Sequence, residues 1–335
     1  MGSVAAKDPT VRTRAASCAE RVVRRLCIGV VLLAAVLTAG AEPPEEFTVT
    51  GRYPGPPLWR VSQGTNDLWI FGTLSVIPND MTWGPVIVER VIGQANEVLQ
   101  PPGVDAWARN PFRYVGLFFR VRKLSRNEGG APLAAVLPPE IYQRYSVIRE
   151  HYDIPARSFE QQRPAVVAGR LYARAIDAAG LTFGRKLQAA IEHIARDARV
   201  KTTETQIRAD PGELLDAAEA LSTQAEVDCF TTVLTSIEND LPGVAARARA
   251  WAIGDIDALR RFDYPDIEGE CLSFAGTSAG LRDTMRHAQD AWLEAAQRAL
   301  AVNKTTFATL GVGDLLRPDG LLARLRERGY VVREP

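Results

Sequence analysis

The sequence predicts an α/β fold, α+β-like in arrangement. A mixed sheet is formed by strands from both ends of the chain, with a large helical insertion between them. Three observations predict it. Leu58 to Ser62 and Asp67 to Thr73 are apolar, β-prone runs near the start, and Thr306 to Val312 is another near the end. Between about Pro111 and Leu300 the apolar residues recur mostly at helical spacing. The text shows no repeat of fixed period and no low-complexity tract.

Each element has a local reason. The two N-terminal runs flank Gln63-Gly64-Thr65-Asn66, a hairpin turn in composition. Trp83 to Ala95 reads as a helix with Val86, Val91 and Ile92 partly on one face, and Glu97 to Leu99 as a short strand stopped by Pro101-Pro102. Phe112, Val115, Phe118 and Phe119 recur at helical spacing, and Ser125 to Pro132 is a loop. Pro138-Pro139-Glu140 opens a helix with proline in its first turn. Pro164 to Ala179 is a helix stopped by Gly180, followed by a helix over Phe183 to Ala198 and a short strand over Val200 to Thr203. Residues 211–262 hold three or so helices, one ending near Gly254, and Leu281 to Val302 is a long helix. Gly320 to Arg328 reads as helix and Tyr330 to Arg333 as a closing strand. If the terminal strands share a sheet, the turns at Gly72 and Gly311 lie side by side.

Residues 1–41 read as an export leader. Arg21, Arg24 and Arg25 precede an apolar run from Leu26 to Leu37, and Ala39-Gly40-Ala41 places small residues before a cleavage point at Glu42. The alternative is an uncleaved anchor. Residues 42–57 are a flexible lead-in, and 58–335 form a single domain. The whole chain has 40 basic and 40 acidic residues. The leader carries six of the basic ones (Lys7, Arg12, Arg14, Arg21, Arg24, Arg25) and two acidic (Asp8, Glu20), so the mature chain is mildly acidic. That argues against a nucleic-acid footprint, which would need a basic excess. No later run is long and apolar enough to be a stable membrane span. The expected location is periplasmic or secreted. Cys18 and Cys27 leave with the leader, and the remaining pair, Cys229 and Cys271, suggests a disulfide in an oxidising compartment, the alternative being two free buried thiols.

Pro57-Leu58-Trp59-Arg60-Val61-Ser62, Phe71-Gly72-Thr73-Leu74-Ser75-Val76-Ile77-Pro78, Thr203-Glu204-Thr205, Ala250-Trp251-Ala252-Ile253-Gly254-Asp255, Gly311-Val312-Gly313-Asp314-Leu315 and Gly329-Tyr330-Val331-Val332 are ordered motifs. Together they resemble the TraB/GumN family, which is related to the Tiki-type metalloproteases, over nearly all of the mature chain. The resemblance implies a divalent metal held by two Gly-x-x-His motifs and a glutamate. Here Ser75 and Asp314 stand at the two histidine positions, and Gln100 or Pro101 at the glutamate. Of the family's Arg-Asn-x-x-Trp, only Trp292 matches, in Ala288-Gln289-Asp290-Ala291-Trp292.

Catalytic zinc takes three protein ligands from His, Cys, Asp and Glu. Asp314 can supply one and Glu204 is a further candidate, but the Ser75 hydroxyl stays neutral near pH 7. No metal site and no other cofactor is therefore expected. A nucleophilic Ser75 needs a base within hydrogen-bond reach. His151 reads as a helix end, His193 as an exposed pair with Asp197, and His287 as the one histidine to watch. Ser75 does not lie in Gly-x-Ser-x-Gly, and the chain lacks HExxH, a P-loop, a dinucleotide fingerprint and a CxxC. Trp59, Trp69 and Trp83 read as core packing, or as a binding wall beside the site.

The expected function is thus that of a catalytically inactive metalloprotease homologue, an exported binding or regulatory protein of the cell envelope. Its partner would be a peptide, a protein or an envelope component, taken up around Gly72, Ser75, Gly311 and Asp314. The alternative is an active metal-dependent hydrolase or peptidase that uses Ser75, Asp314 and Glu204 in an altered way. A third reading is an envelope structural or regulatory protein in which this cleft plays no part.

Overall fold

The computed structural model describes residues 55–106, 113–155, 157, 159–264, 271 and 279–335. Residues 1–54, which hold the expected leader and most of the expected lead-in, and the side chains of Phe112 and Val115 lie outside the described residues.

The hairpin forms as its turn chemistry dictates. Strands β1 (Leu58–Gln63) and β2 (Asn66–Thr73) pair antiparallel from Leu58↔Phe71 to Gln63↔Asn66, and Gly64 turns the chain at φ 60°. β3 (Val76–Pro78) follows, then helix α1 (Val86–Ile92), β4 (Glu97–Leu99) and β5 (Val104–Ala106). The helical insertion holds α2 (Arg113–Leu124), α3 (Leu133–Val136), α4 (Pro139–His151) and α5 (Pro164–Ala178), then β6 (Leu181–Phe183) and α6 (Arg185–Asp197). After β7 (Lys201–Thr203) and β8 (Ile207–Ala209) come α7 (Pro211–Glu219), α8 (Thr223–Asn239), α9 (Val244–Ala252), α10 (Ile256–Leu259) and α11 (Ala279–Val302). The chain closes with β9 (Thr305–Gly311), α12 (Val312–Leu316), α13 (Leu321–Glu327) and β10 (Val331–Arg333).

The fold is mixed α/β, and its main sheet has six strands in the order β10-β1-β2-β9-β4-β7. β2, β9, β4 and β7 run parallel to one another, while β1 is antiparallel to both β10 and β2. The N- and C-terminal strands thus share one sheet, as the sequence predicts. In the β2–β9 ladder Gly72 lies opposite Leu310 and Thr73 opposite Gly311.

β9 is buried without a break from Thr306 to Leu310 because both faces of the sheet are covered there, whereas β1 alternates. Trp59, Val61, Leu68 and Ile70 share one face, which packs on α11 through Trp292, Leu293 and Ala296. Phe71 and Phe307 point the other way, and Trp251 of α9 meets Phe71 edge-on at 5.7 Å. A second core lies within the insertion, where Leu133, Tyr145, Leu171, Phe230 and Leu234 are buried together. Cys229, buried in α8, is disulfide-bonded to Cys271 across a Cα–Cα distance of 4.5 Å. Among the described residues, no helix is long and apolar enough to cross a membrane.

Several element ends shift by one to three residues from the sequence expectation, and three of these differences have a clear physical reason. Phe183 belongs to β6 rather than to the following helix, because it pairs with Val76 before Gly184 caps α6. Val312 opens α12 rather than closing β9, because the ladder to β2 ends at Gly311 and leaves it no strand partner. Trp83 precedes α1 rather than opening it, because its ring packs on Phe71, tilted at 34° with centroids 5.5 Å apart. The three-residue pairs β3–β6 and β5–β8 were not anticipated at all.

Candidate functional site

The carboxyl ends of four parallel strands define one side of the sheet. Leu74 and Ser75 follow β2, Val312 to Asp314 follow β9, Gln100 follows β4 and Glu204 follows β7. Two of the sequence-predicted positions, Gly72 and Gly311, are neighbours here, and Thr73 ties their strands by donating from Oγ1 to the Leu310 carbonyl at 3.2 Å.

Gly72 is buried because nothing larger fits. A Cβ there would sit 2.7 Å from the Trp59 ring and 2.9 Å from Val312 Cγ2. Its carbonyl accepts a 2.6 Å hydrogen bond from the Trp251 indole, so the Trp-x-x-Gly-Asp segment is anchored to the end of β2. Gly254 in that segment turns the chain at φ 71°, and the Asp255 carboxylate caps α10 by accepting from the Ala258 amide at 2.9 Å.

Ser75 is exposed, and its backbone is held rigidly. Its carbonyl accepts from the Gly184 amide at 2.7 Å, and β3 pairs with β6 directly after it. A Cβ on Gly184 would fall 1.8 Å from the Leu74 carbonyl oxygen, so only glycine allows this clamp. No hydrogen bond joins the Ser75 side chain to a histidine among the described residues. His151 is exposed at the end of α4 and meets Tyr152 edge-on. His193 forms an exposed 2.9 Å pair with Asp197, and His287 is exposed on α11.

Asp314 lies in the first turn of α12, where a carboxylate complements the helix dipole. Its Oδ2 is 3.4 Å from the place a Cβ on Gly311 would take, so the side chain folds back over the strand end. Glu204 is exposed at the end of β7, with β4 standing between it and β9. Two strand spacings of about 4.8 Å therefore separate its strand from that of Asp314. The flanking threonines are structural: Thr203 donates to Glu97 at 2.7 Å and Thr205 to the Gln100 carbonyl at 2.8 Å.

Sequence reasoning missed four contributors. Thr309 of β9 donates to Gln188 Oε1 at 3.1 Å, and Gln188 Nε2 donates to Glu192 Oε1 at 3.2 Å. Gln100 Nε2 reaches the same carboxylate oxygen at 3.5 Å. Gln188 and Glu192 are one turn apart on α6, so this polar chain crosses the ends of β9 and β4. The fourth is Tyr264, which packs on Gly313, with a Cβ there falling 2.8 Å from the tyrosine's own. Burial pushes the Tyr264 phenol up to about 12, so it is neutral at physiological pH and donates to the Leu259 carbonyl. The i,i+4 spacing of Gln188 and Glu192 beside the apolar stripe Leu187-Ile191-Ala195 was the one available signal, and it is common on surface helices.

Of the three tryptophans near the first motif, Trp59 is fully buried, and Trp83 packs on Phe71 and Trp251. Trp69 is half-buried beneath the Arg60 guanidinium, which lies 5.4 Å from its ring. A cavity of about 630 Å³, bounded by His151, Tyr152 and Leu241, includes none of the strand-end residues.

The residues present do not compose a catalytic-zinc ligand set. The strand ends offer a serine hydroxyl, the Gln100 amide with the Glu192 carboxylate it meets, one folded-back carboxylate at Asp314 and an exposed glutamate two strands from it. Among the described residues, no three of His, Cys, Asp and Glu are grouped so as to hold a metal ion.

This architecture is that of the open α/β proteins, whose ligands generally bind beyond the carboxyl ends of parallel strands. The model of the TraB/PrgY/gumN family matches residues 57–334, and the chain belongs to that family. No curated protein and no solved structure matches it.

Proposed function

We propose that this chain is an exported, non-catalytic member of its family, acting in the periplasm or outside the cell. In this reading it binds a peptide, a protein or an envelope component at the carboxyl ends of β2, β9 and β4. The observation that carries the proposal is the Thr309–Gln188–Glu192–Gln100 chain. Its hydroxyl and two amides surround a single carboxylate, Glu192, at β9 and the end of β4, and a lone carboxylate among such groups suits hydrogen-bond recognition of a polar ligand better than metal ligation. Export is supported by the Cys229–Cys271 disulfide, since such bonds persist in oxidising compartments.

The hydrolase alternative needs Ser75, Asp314 and Glu204 to converge, and the exposed position of Glu204 at the end of β7 speaks against it. The test is a gain-of-function variant. Ser75→His combined with Asp314→His is expected to remain inactive on peptides, because the glutamate is missing too, with Gln100 or Pro101 at its position. A folded double variant that becomes a robust peptidase would overturn the proposal.

A further inference from the structure

Helix α2 presents aromatic and basic side chains to solvent. Phe118 is 62 % exposed, Phe119 64 % and Val121 46 %. The two phenylalanine rings lie edge-on to each other at 5.6 Å. The opposite side of the helix is the fixed one. There Arg120 pairs with Asp216 at 2.6 Å and with Glu219 at 3.0 Å, holding α2 on α7, while Leu117 and Leu124 are partly buried. At 100° per residue, Phe118, Phe119 and Arg122 share the outward face, flanked by Val121 and Lys123.

The charge around this face is one-sided. Residues 113–130 contain five basic residues (Arg113, Arg120, Arg122, Lys123, Arg126) and one acidic residue, Glu128, in a chain whose net charge is zero. Arg122, Lys123 and Arg126 are exposed. An apolar face flanked by cations is the composition of helices that lie in a membrane interface, where aromatic rings enter the acyl boundary and Lys/Arg meet anionic headgroups.

We propose that α2 docks the protein on an anionic lipid bilayer surface, through Phe118 and Phe119 with Arg122 and Lys123 beside them. A second copy of the chain fits this face poorly, because a two-fold contact through it would bring two like-charged basic patches together. The rings project from the helix and border neither the cavity beside His151 nor the one beside Glu97, so the surface suits a deformable partner better than an inserted side chain.

The test is vesicle co-sedimentation of the protein as recovered after export, with phosphatidylglycerol-containing and pure phosphatidylcholine vesicles. Whatever remains of the leader is common to all variants, so differences between them report on α2. Wild type is expected to prefer the anionic vesicles and to be released by salt. Phe118→Ser with Phe119→Ser should weaken partitioning at least about tenfold. Arg122→Gln and Lys123→Gln should each weaken it by about fivefold at low salt. All four side chains are exposed, so an unchanged melting temperature is expected, and the charge variants stand in should the aromatic ones misfold. Equal binding to both vesicle types, no binding, or an unaffected phenylalanine variant would overturn the proposal. So would a wild-type dimer that the phenylalanine changes convert to a monomer without any lipid affinity.

Discussion

The indole Nε1 of Trp251 donates to the carbonyl of Gly72 at 2.6 Å, across 179 residues of chain. This bond joins the helical insertion to the end of the first central strand. Both residues are buried, Trp251 in an aromatic cluster with Phe71, Trp83 and Phe307. Trp251→Phe removes the donor and part of the ring volume, and is expected to cost about 2–4 kcal/mol. Trp83→Phe, at a half-buried position, should cost less than about 1.5 kcal/mol. Urea unfolding of the two variants checks the order.

Gly72→Ala introduces a methyl group between Trp59 and Val312, at 2.7 and 2.9 Å. Neither neighbour is the free end of a flexible chain. Overpacking of this kind costs about 1–3 kcal/mol. The same substitution at exposed Gly84, where a Cβ meets nothing within 4 Å, should be nearly neutral. Equal unfolding midpoints for the two variants would show that the strand end is not packed as described.

The Cys229–Cys271 disulfide spans 42 residues and closes part of the helical insertion. Chain-entropy arguments place its contribution at roughly 4 kcal/mol at most. Thermal unfolding with and without reductant should differ accordingly, and mass spectrometry without reduction should find no free thiol at either position. Two free thiols in the native protein would refute the bond.

Asp67 accepts from Arg60 at 2.9 and 2.7 Å and from Ser62 at 2.7 Å. Burial pushes its carboxyl up, but the bonds from Arg60 and Ser62 outweigh burial and hold it below the usual value of 3.8. A carboxylate depressed in the folded state stabilises above its unfolded pKa, and that stability is lost as pH falls through the folded value. Asp67→Asn should therefore be less stable than wild type near pH 7, by about 1 kcal/mol, and the difference should shrink as the pH drops below 3.8. A gap that stays constant across that range would contradict the pairing.

The hairpin, β9 and the long C-terminal helix were legible because each carries its period or turn chemistry locally. Gly64 turns where a turn is written, and Leu68, Ile70, Ala308 and Leu310 meet on one sheet face. The adjacency of Gly72 and Gly311 followed from placing both terminal runs in one sheet. Less local features were hidden. β3 and β6 have three residues each, too few to show a period, and their pairing is set by contacts around Gly184. Gln100 meets Glu192 across 92 residues, and no spacing rule reports that. The spacing of Phe118 and Phe119 predicted a helix correctly, but periodicity says nothing about whether an apolar face turns inward or outward.

The central claim is that the strand ends carrying Ser75 and Asp314 bind a ligand without a metal. Elemental analysis of the protein recovered after export, followed by calorimetric titration with zinc and manganese, tests it most directly. The account predicts no stoichiometric transition metal and no binding at micromolar affinity. Stoichiometric metal that is lost on Asp314→Ala, in a variant that keeps its fold, would contradict it.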